Sequence, residues 1–259
     1  IEIKSEEAVK DELASALASM LREMEGVAED EEIPEVEAAS IVDYDELIPL
    51  EELEMLTERL RERLLADGQV DEVVAVLVRG GLIAYPTDSS YAIGCHIGDK
   101  RAIDRIHRIR RTDKKHNFTL VCRDLSEIST YARVDNWAYH LIKSRTPGPY
   151  TFILPATREV PKRLQHPKRR TIGLRVPDHP FVRAVLDELG EPIMSSTLTL
   201  PGDDMPLTDP LEIEERIGHL VDVVVDAGPT GIEPTTVLDL TGGDVQVLRT
   251  GRGDVSGLV

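Results

Sequence analysis

The stretch that most constrains the fold of this chain is Gly80–Gly94, which reads GGLIAYPTDSSYAIG. Residues 70–79 before it have the pattern of a helix, and paired glycines supply the left-handed backbone that closes one. Leu82–Tyr85 is an apolar run with the length of a buried strand, and Pro86 ends it because proline has no amide to donate to a neighbouring strand. The polar residues 87–90 then stand where α/β proteins place ligand contacts. The alternative is a turn that caps only its own backbone.

Strand-like and helix-like segments alternate through the rest of the chain, which predicts an α/β fold. Some connections are too short for a helical crossover between parallel strands, so we expect a mixed sheet. The further predicted strands are Phe118–Cys122, Tyr150–Leu154, Thr171–Val176, Pro192–Thr199, Val221–Asp226, Thr235–Asp239 and Val245–Arg249. The further predicted helices are Lys100–Arg111, Ser126–Tyr131, Asn136–Lys143, Pro161–His166, Phe181–Leu189 and Asp209–Ile217.

Charge divides the chain into an acidic extension, predicted for residues 1–65, and a body, residues 66–259. Residues 1–72 contain 24 acidic and 6 basic side chains, which accounts for the whole net charge of -18. Within the body, residues 101–175 contain 18 basic and 6 acidic side chains, a balance that attracts phosphates and nucleic acid. Leucines at helical spacing predict that the extension is helical and packs on itself, on the body or on a second copy.

Several classes of protein are disfavoured by the composition. No apolar run approaches the roughly 18 residues that a membrane span needs. The two cysteines, Cys95 and Cys122, form no metal-binding pattern, so we expect a reducing, cytoplasmic environment and no zinc site. No carboxylate cluster suggests a metal held by the protein.

Six blocks together resemble the YrdC-like family, the threonylcarbamoyl-AMP synthases, and are most similar to its YciO branch. They are PTDSSYAIG, HNFTLVCRDLSEISTY, TPGPYTFIL, TIGLRVPDHP, PTTVLDL and VLRTGRGD, and they span about residues 70–259. The resemblance implies a twisted mixed sheet with surrounding helices and a basic cavity. It implies an enzyme that joins ATP, L-threonine and bicarbonate into threonylcarbamoyl-AMP and pyrophosphate, for the modified adenosine beside tRNA anticodons. The fold is also credited with binding double-stranded RNA.

The resemblance also implies site residues, carried over position by position. Arg108, Arg110 and Ser196 are implied as catalytic. The implied nucleotide-binding set adds Thr119, Arg175 and Arg249, and the implied substrate-binding set is Thr87, Ser89, Tyr91, Cys122, Thr151 and Thr235. No metal is bound by the protein itself, and Mg²⁺ would arrive with ATP.

Three positions depart from the family pattern. Arg108 replaces a lysine, Cys122 a histidine, and Leu198 the asparagine of a Ser-x-Asn motif. These departures leave three interpretations open: a synthase or a close variant with another amine, a hydrolase of an acyl- or carbamoyl-adenylate, and a non-enzymatic RNA-binding module. Arg108, Arg110 and Arg111 of the predicted helix Lys100–Arg111, called the basic helix below, could also form one solvated face. Lys168-Arg169-Arg170 is interpreted as a surface tip, with RNA contact as the lesser alternative.

Overall fold

The computed structural model describes residues 69–111 and 118–258. The predicted acidic extension lies outside the described residues, and its boundary stays a prediction. Within the described part, nine strands form one sheet in the order β7-β1-β2-β6-β3-β5-β4-β8-β9. They are β1 Leu82–Tyr85, β2 Ala92–His96, β3 Thr119–Val121, β4 Tyr150–Pro155, β5 Thr171–Arg175, β6 Ile193–Thr197, β7 Val223–Val224, β8 Thr236–Asp239 and β9 Gln246–Arg249.

Six α-helices accompany the sheet in the described residues. They are α1 over residues 69–78, α2 Lys100–Arg110, α3 Leu125–Tyr131, α4 Asn136–Lys143, α5 Pro180–Leu189 and α6 Pro210–Ile217, with a 3₁₀ turn at Gly218–Leu220. Three strand pairs are parallel, β1 with β7, β3 with β5 and β4 with β8, and the others are antiparallel. The predicted mixed α/β sheet is therefore confirmed.

The predicted helix–glycine–strand unit is also confirmed. Gly80 has a φ of +77°, and the amides of Gly80 and Gly81 donate to the carbonyls of Leu77 and Val76 at the end of α1. A left-handed residue at this position closes the helix. The chain then enters β1, all four residues of which are buried.

One predicted helix is wrong. Residues 161–166 form successive turns instead, in which the amide of Leu164 donates to the carbonyl of Pro161. The side-chain amide of Gln165 donates to the carbonyls of Thr157 and Val160. Local bonds of this kind from a side chain to the backbone offer the chain an alternative to a helix.

Even-numbered and odd-numbered residues of the central strands lie on opposite faces of the sheet. Even-numbered side chains such as Leu120, Phe152, Leu174 and Met194 enter the larger hydrophobic core, which also holds the buried faces of α2 and α4. A smaller core packs α1 and α5 against the opposite face of β1 and β2. The helices of the smaller core leave the rest of that face, from β6 and β3 across β5 and β4 to β8, for a cavity.

Candidate functional site

The floor of the cavity is made by the odd-numbered residues of neighbouring strands. Successive side chains of a strand point to opposite faces, and the register places Thr119 of β3 beside both Gly173 of β5 and Ser195 of β6. On the other side of β5, Ile153 pairs with Gly173. The odd-numbered residues of these strands in the lining are Thr119, Val121, Thr151, Ile153, Thr171, Gly173, Arg175, Ser195, Thr197 and Val237. The other strand residues of the lining are Ala92, Ile172, Ser196, Leu248 and Arg249. Alternation along five strands therefore builds one continuous, hydroxyl-rich surface.

The cavity has a volume of about 550 Å³, within the usual range for small-molecule sites. Four arginines line it, namely Arg110, Arg169, Arg175 and Arg249. Asp204, exposed at the rim, is the only carboxylate among the described lining residues, which include no His, Cys, Lys or Glu. This balance favours anionic ligands, held by guanidinium and hydroxyl groups.

Gly173 keeps the middle of this floor free of a side chain. A Cβ atom there would lie 3.1 Å from Oγ1 of Thr119 and 3.4 Å from Cγ2 of Thr151. The glycine thus deepens the cavity between two hydroxyl-bearing residues.

We expect Gly173→Val to weaken ligand binding more than it weakens folding. Overpacking of this kind costs about 1–3 kcal/mol of stability, while the added methyl groups occupy space that a ligand needs. Urea denaturation and calorimetric titration with ATP would measure the two effects, with Gly173→Ala as the smaller step. Unchanged ATP affinity in Gly173→Val would contradict this description of the floor.

The polar turn after β1 caps its own backbone and lines the cavity as well, so the two alternatives for residues 87–90 are not exclusive. Oγ1 of Thr87 accepts from the amides of Ser89 and Ser90 at 3.2 and 3.3 Å and donates to the carbonyl of Ser90 at 2.7 Å. The Ser89 hydroxyl lies 3.1 Å from the same oxygen. Thr87, Ser89 and Ser90 all contribute to the cavity wall. The internal bonds fix the wall before any ligand arrives.

Asp88, in the same turn, forms a buried ion pair with Arg175. One carboxylate oxygen accepts from the Arg175 guanidinium, and the two side chains are 10% and 9% exposed. Burial lowers the pKa of Arg175, and the Asp88 carboxylate opposes that shift. Beside the pair, the Tyr85 hydroxyl donates to Oγ of Ser195 at 2.7 Å, and burial raises the pKa of Tyr85 to about 12.

The segment after β9 is attached to this turn. Nη1 of Arg252 donates to the carbonyl of Asp88, and the amide of Arg252 donates to the carbonyl of Pro234 at 2.9 Å. The Thr236 hydroxyl donates to the Gly253 carbonyl at 2.6 Å. At Gly253 a Cβ atom would lie 2.5 Å from the Tyr150 ring, so the backbone packs directly against strand β4. The last described residues thus support one wall of the cavity.

His179, just before α5, is a half-buried group near the ion pair. Its Nδ1 atom has no hydrogen-bond partner in the described part. Burial lowers the pKa of His179, Asp88 and Asp178 oppose that shift, and Arg175 adds to it.

We therefore expect stability to fall as the pH drops below about 6.5, the usual pKa of an unfolded histidine. Below that pH the unfolded chain binds a proton that His179 in the folded chain does not, so acid favours unfolding, and the loss levels off below the folded pKa. Urea midpoints at pH 7.5 and 5.5 would measure the slope. His179→Gln should reduce it, and His140→Gln, at an exposed position, should not.

Most of the sequence-predicted site residues meet in this cavity. Those in its lining are Thr87, Ser89, Arg110, Thr119, Thr151, Arg175, Ser196, Thr235 and Arg249. Arg110 reaches Oγ of Ser196, and its Nε donates to the Thr199 carbonyl at 3.4 Å. Arg249 donates through Nε and Nη2 to the Thr235 carbonyl at 3.0 and 2.9 Å. The Thr235 and Thr151 hydroxyls are 2.9 Å apart.

Arg108 requires a correction, because it does not line the cavity. Its side chain is exposed, and its Nε donates to the Asp104 carbonyl of its own helix. Two residues along an α-helix correspond to a rotation of about 200°, so Arg108 and Arg110 cannot point the same way. Arg108 instead borders a shallow depression with Arg111, Leu200 and Leu220.

Tyr91 and Cys122, predicted to bind substrate, lie away from the cavity for a different reason, and so does Leu198, one of the departures from the family pattern. All three are fully buried and belong to the larger core, so none borders the cavity. The Tyr91 hydroxyl lies 3.1 and 3.0 Å from the carbonyls of Val225 and Gly228, and burial raises the pKa of both Tyr91 and the Cys122 thiol. Changing Cys122 and Leu198 toward the family pattern would therefore alter the core rather than the cavity surface.

Two features of the site were missed from the sequence. Arg169, assigned to a surface tip, lines the cavity. Three exposed apolar side chains, Met205, Ile232 and Leu248, lie on the cavity lining from three separate segments. Alternation could have indicated Ser195, but nothing local indicated Arg169. In the described residues, no cluster of His, Cys, Asp or Glu could hold a metal ion, and no helix is long and apolar enough to cross a membrane.

Comparison with known proteins gives consistent matches over this body. The Sua5/YciO/YrdC family model, described as telomere recombination, matches residues 75–251. A YciO protein of Escherichia coli strain K12 is 53% identical over 186 residues, which cover 72% of this chain and 90% of that protein. The crystal structure of E. coli YciO superposes with a TM-score of 0.70 at 50% identity, covering 76% of this chain and 94% of the other.

A more distant solved structure, P. abyssi Sua5 complexed with L-threonine, shares the fold. Its TM-score is 0.66 at 24% identity, and the match covers 71% of this chain and 54% of that one.

Proposed function

Since the chain belongs to the Sua5/YciO/YrdC family, we propose that its cavity binds ATP together with an amino acid and bicarbonate and forms a carbamoyl-adenylate. The observation that carries the proposal is the cavity itself, in which four arginines and a hydroxyl-rich floor face one space. The complex of P. abyssi Sua5 with L-threonine supports threonine as the amino acid. The modified adenosine of tRNA would then be the destination of the product.

The chemistry needs positioning more than a protein nucleophile. Threonine and bicarbonate condense to a carbamate with loss of water, and a carbamate oxygen attacks the α-phosphorus of ATP while pyrophosphate leaves. Guanidinium groups such as Arg110 and Arg249 would neutralise the charge that develops on the leaving group, together with the Mg²⁺ that ATP brings. The hydroxyls of Thr87, Ser89 and Thr151 would orient the polar ends of the amino acid.

A second candidate is hydrolysis of a ready-made carbamoyl-adenylate in the same cavity. What leaves it open is that none of the three residues at the departures from the family pattern, Arg108, Cys122 and Leu198, lines the cavity. A site with fewer fixed contacts to the reacting groups leaves room for water. A non-enzymatic module that binds double-stranded RNA or tRNA is the third candidate, supported only by the basic middle of the chain.

One set of assays separates the three. The full chain is incubated with labelled ATP, threonine, bicarbonate and Mg²⁺, and the products are separated. Threonylcarbamoyl-AMP and pyrophosphate that require both threonine and bicarbonate support the synthase. AMP released from supplied threonylcarbamoyl-AMP, without the forward reaction, supports the hydrolase. RNA binding that weakens steeply with salt, with neither reaction, supports the third candidate.

A further inference from the structure

The turn formed by His166–Arg170 brings one arginine into the cavity and leaves its neighbours outside. The His166 amide donates to the Thr171 carbonyl at 2.7 Å, and the Arg170 amide donates to the His166 carbonyl at 2.9 Å. Nδ1 of His166 accepts from the amides of Lys168 and Arg169 at 3.3 and 3.1 Å. The backbone of the turn is therefore fixed by its own bonds. Of its three cationic side chains, only Arg169 lines the cavity.

Arg169 is held by a carboxylate of the sheet. Its Nη1 donates to Oδ2 of Asp239 at 2.7 Å, and the two side chains are 47% and 6% exposed. The other Asp239 oxygen accepts from the amide and hydroxyl of Thr241 at 3.0 and 2.6 Å. Burial of Asp239 would raise its pKa, but these hydrogen bonds and Arg169 outweigh it, so the pKa of Asp239 is lowered. The carboxylate stays charged and anchors the guanidinium.

The contact between the two is end-on rather than bidentate. A guanidinium has five N–H donors, and among the described residues only Nη1 of Arg169 bonds to Asp239. The remaining donors of a half-exposed side chain on the cavity wall suit a planar or tetrahedral oxyanion. A guanidinium that only neutralised a buried aspartate would not need to lie on the lining.

We propose that Arg169, anchored by Asp239, binds an anionic oxygen of the substrate at a subsite separate from that of Arg175. The strand register supports the separation. Asp239, which holds the Arg169 guanidinium, pairs with Ile153 of β4, and Ile153 pairs with Gly173 of β5. The anchor therefore lies two strands from β5, about 10 Å at roughly 4.8 Å per strand, and is level with a residue two positions before Arg175. The ligand group is a phosphate of ATP or the carboxylate of the amino acid. This inference deepens the proposed function and rests on it for the identity of the substrates.

The test compares Arg169→Gln with Arg170→Gln by calorimetric titration. Arg170→Gln is the matched control. It removes the same charge from the same turn, but at an exposed position that does not line the cavity. The ligands are ATP, inorganic pyrophosphate, threonine and adenosine. We expect Arg169→Gln to weaken binding of the ligand that carries the contacted group by about tenfold or more, with Arg170→Gln within about twofold. Loss with ATP and pyrophosphate identifies a phosphate, and loss with threonine alone identifies a carboxylate.

Other outcomes overturn the assignment. Unchanged affinity for every anion in Arg169→Gln, or equal losses in the two variants, would show that Arg169 is not a ligand contact. An equal loss with uncharged adenosine would indicate a purely structural role. If Arg169→Gln folds poorly because Asp239 loses its partner, the Arg169→Gln/Asp239→Asn double variant removes both charges, and the same loss of anion binding must remain.

The proposed function is judged separately in the same experiment. If the wild-type protein binds pyrophosphate through Arg169 but forms or cleaves no adenylate, the proposed reaction is wrong while the subsite stands. If the reaction proceeds normally in Arg169→Gln at all substrate concentrations, the reaction stands and the subsite does not. If the wild-type protein binds none of the probes, both fail.

Discussion

Replacing Arg110 with alanine should weaken ATP binding by about 10- to 100-fold, whereas replacing Arg108 should leave it within about twofold. The reason is the direction in which each side chain points along α2. Arg110 lines the cavity and reaches Ser196, and a charge-assisted hydrogen bond contributes about 1.5–3 kcal/mol. Arg108 is exposed and bonds to its own helix. Calorimetric titration of both variants with ATP would measure the difference.

The pair of variants carries its own control. Each change removes one positive charge from the same helix within two residues, so a general effect of charge on ATP would be nearly equal in both. An equal loss in Arg108→Ala and Arg110→Ala would mean that the field of the basic helix, rather than a contact in the cavity, attracts the nucleotide. If Arg110→Ala binds ATP as well as the wild-type protein does, α2 contributes no contact to the nucleotide.

Replacing Asp88 with alanine should destabilise the fold by about 3–5 kcal/mol, because it leaves the charge of Arg175 buried without its partner. The two side chains are among the least exposed charged groups of the described residues, at 10% and 9%. Urea denaturation would measure the change. Glu191→Ala is the control, since its ion pair with His96 is much less buried, at 51% and 31% exposure, and ion pairs near the surface contribute about 0–1 kcal/mol.

A double variant tests the cause of this loss. Asp88→Ala/Arg175→Met removes both charges, and we expect it to recover most of the stability, because a buried pair can be replaced by apolar groups at little cost. It should not recover ligand binding, since Arg175 lines the cavity. A double variant no more stable than Asp88→Ala would indicate that the shape of the turn, rather than the unpaired charge, is what the fold needs.

Much of the fold could be predicted because its signals are local. The glycines after α1, the apolar run of β1 and the alternation of strands with helices are all readable over a few residues. Most of the residues that the family blocks pointed to line the cavity, and their roles there stay predictions. The burial of Cys122 and Leu198 could not be predicted from the sequence, because it depends on packing across the sheet.

The error at Arg108 has a different origin. The family motif grouped Arg108 with Arg110, yet helical geometry alone places them on different sides, so the sequence contained the correction. The position of Arg169 on the cavity lining could not be predicted from the sequence. Its anchor, Asp239, lies 70 residues further along the chain, and no periodicity within the turn distinguishes Arg169 from Lys168 or Arg170.

The attachment of Arg252 to Asp88, across 164 residues, has a consequence for biosynthesis. Chains are made at about 5–20 residues per second, and long-range pairings of this kind form late. The parallel neighbour of β4, strand β8, is synthesised about 85 residues after β4, and β7 is synthesised still longer after its neighbour β1. The growing chain therefore passes through an interval of several seconds in which β4 and β1 exist without these partners. Chaperone demand should be highest in that interval, and the protein should gain its ligand affinity only after Arg252 has left the ribosome.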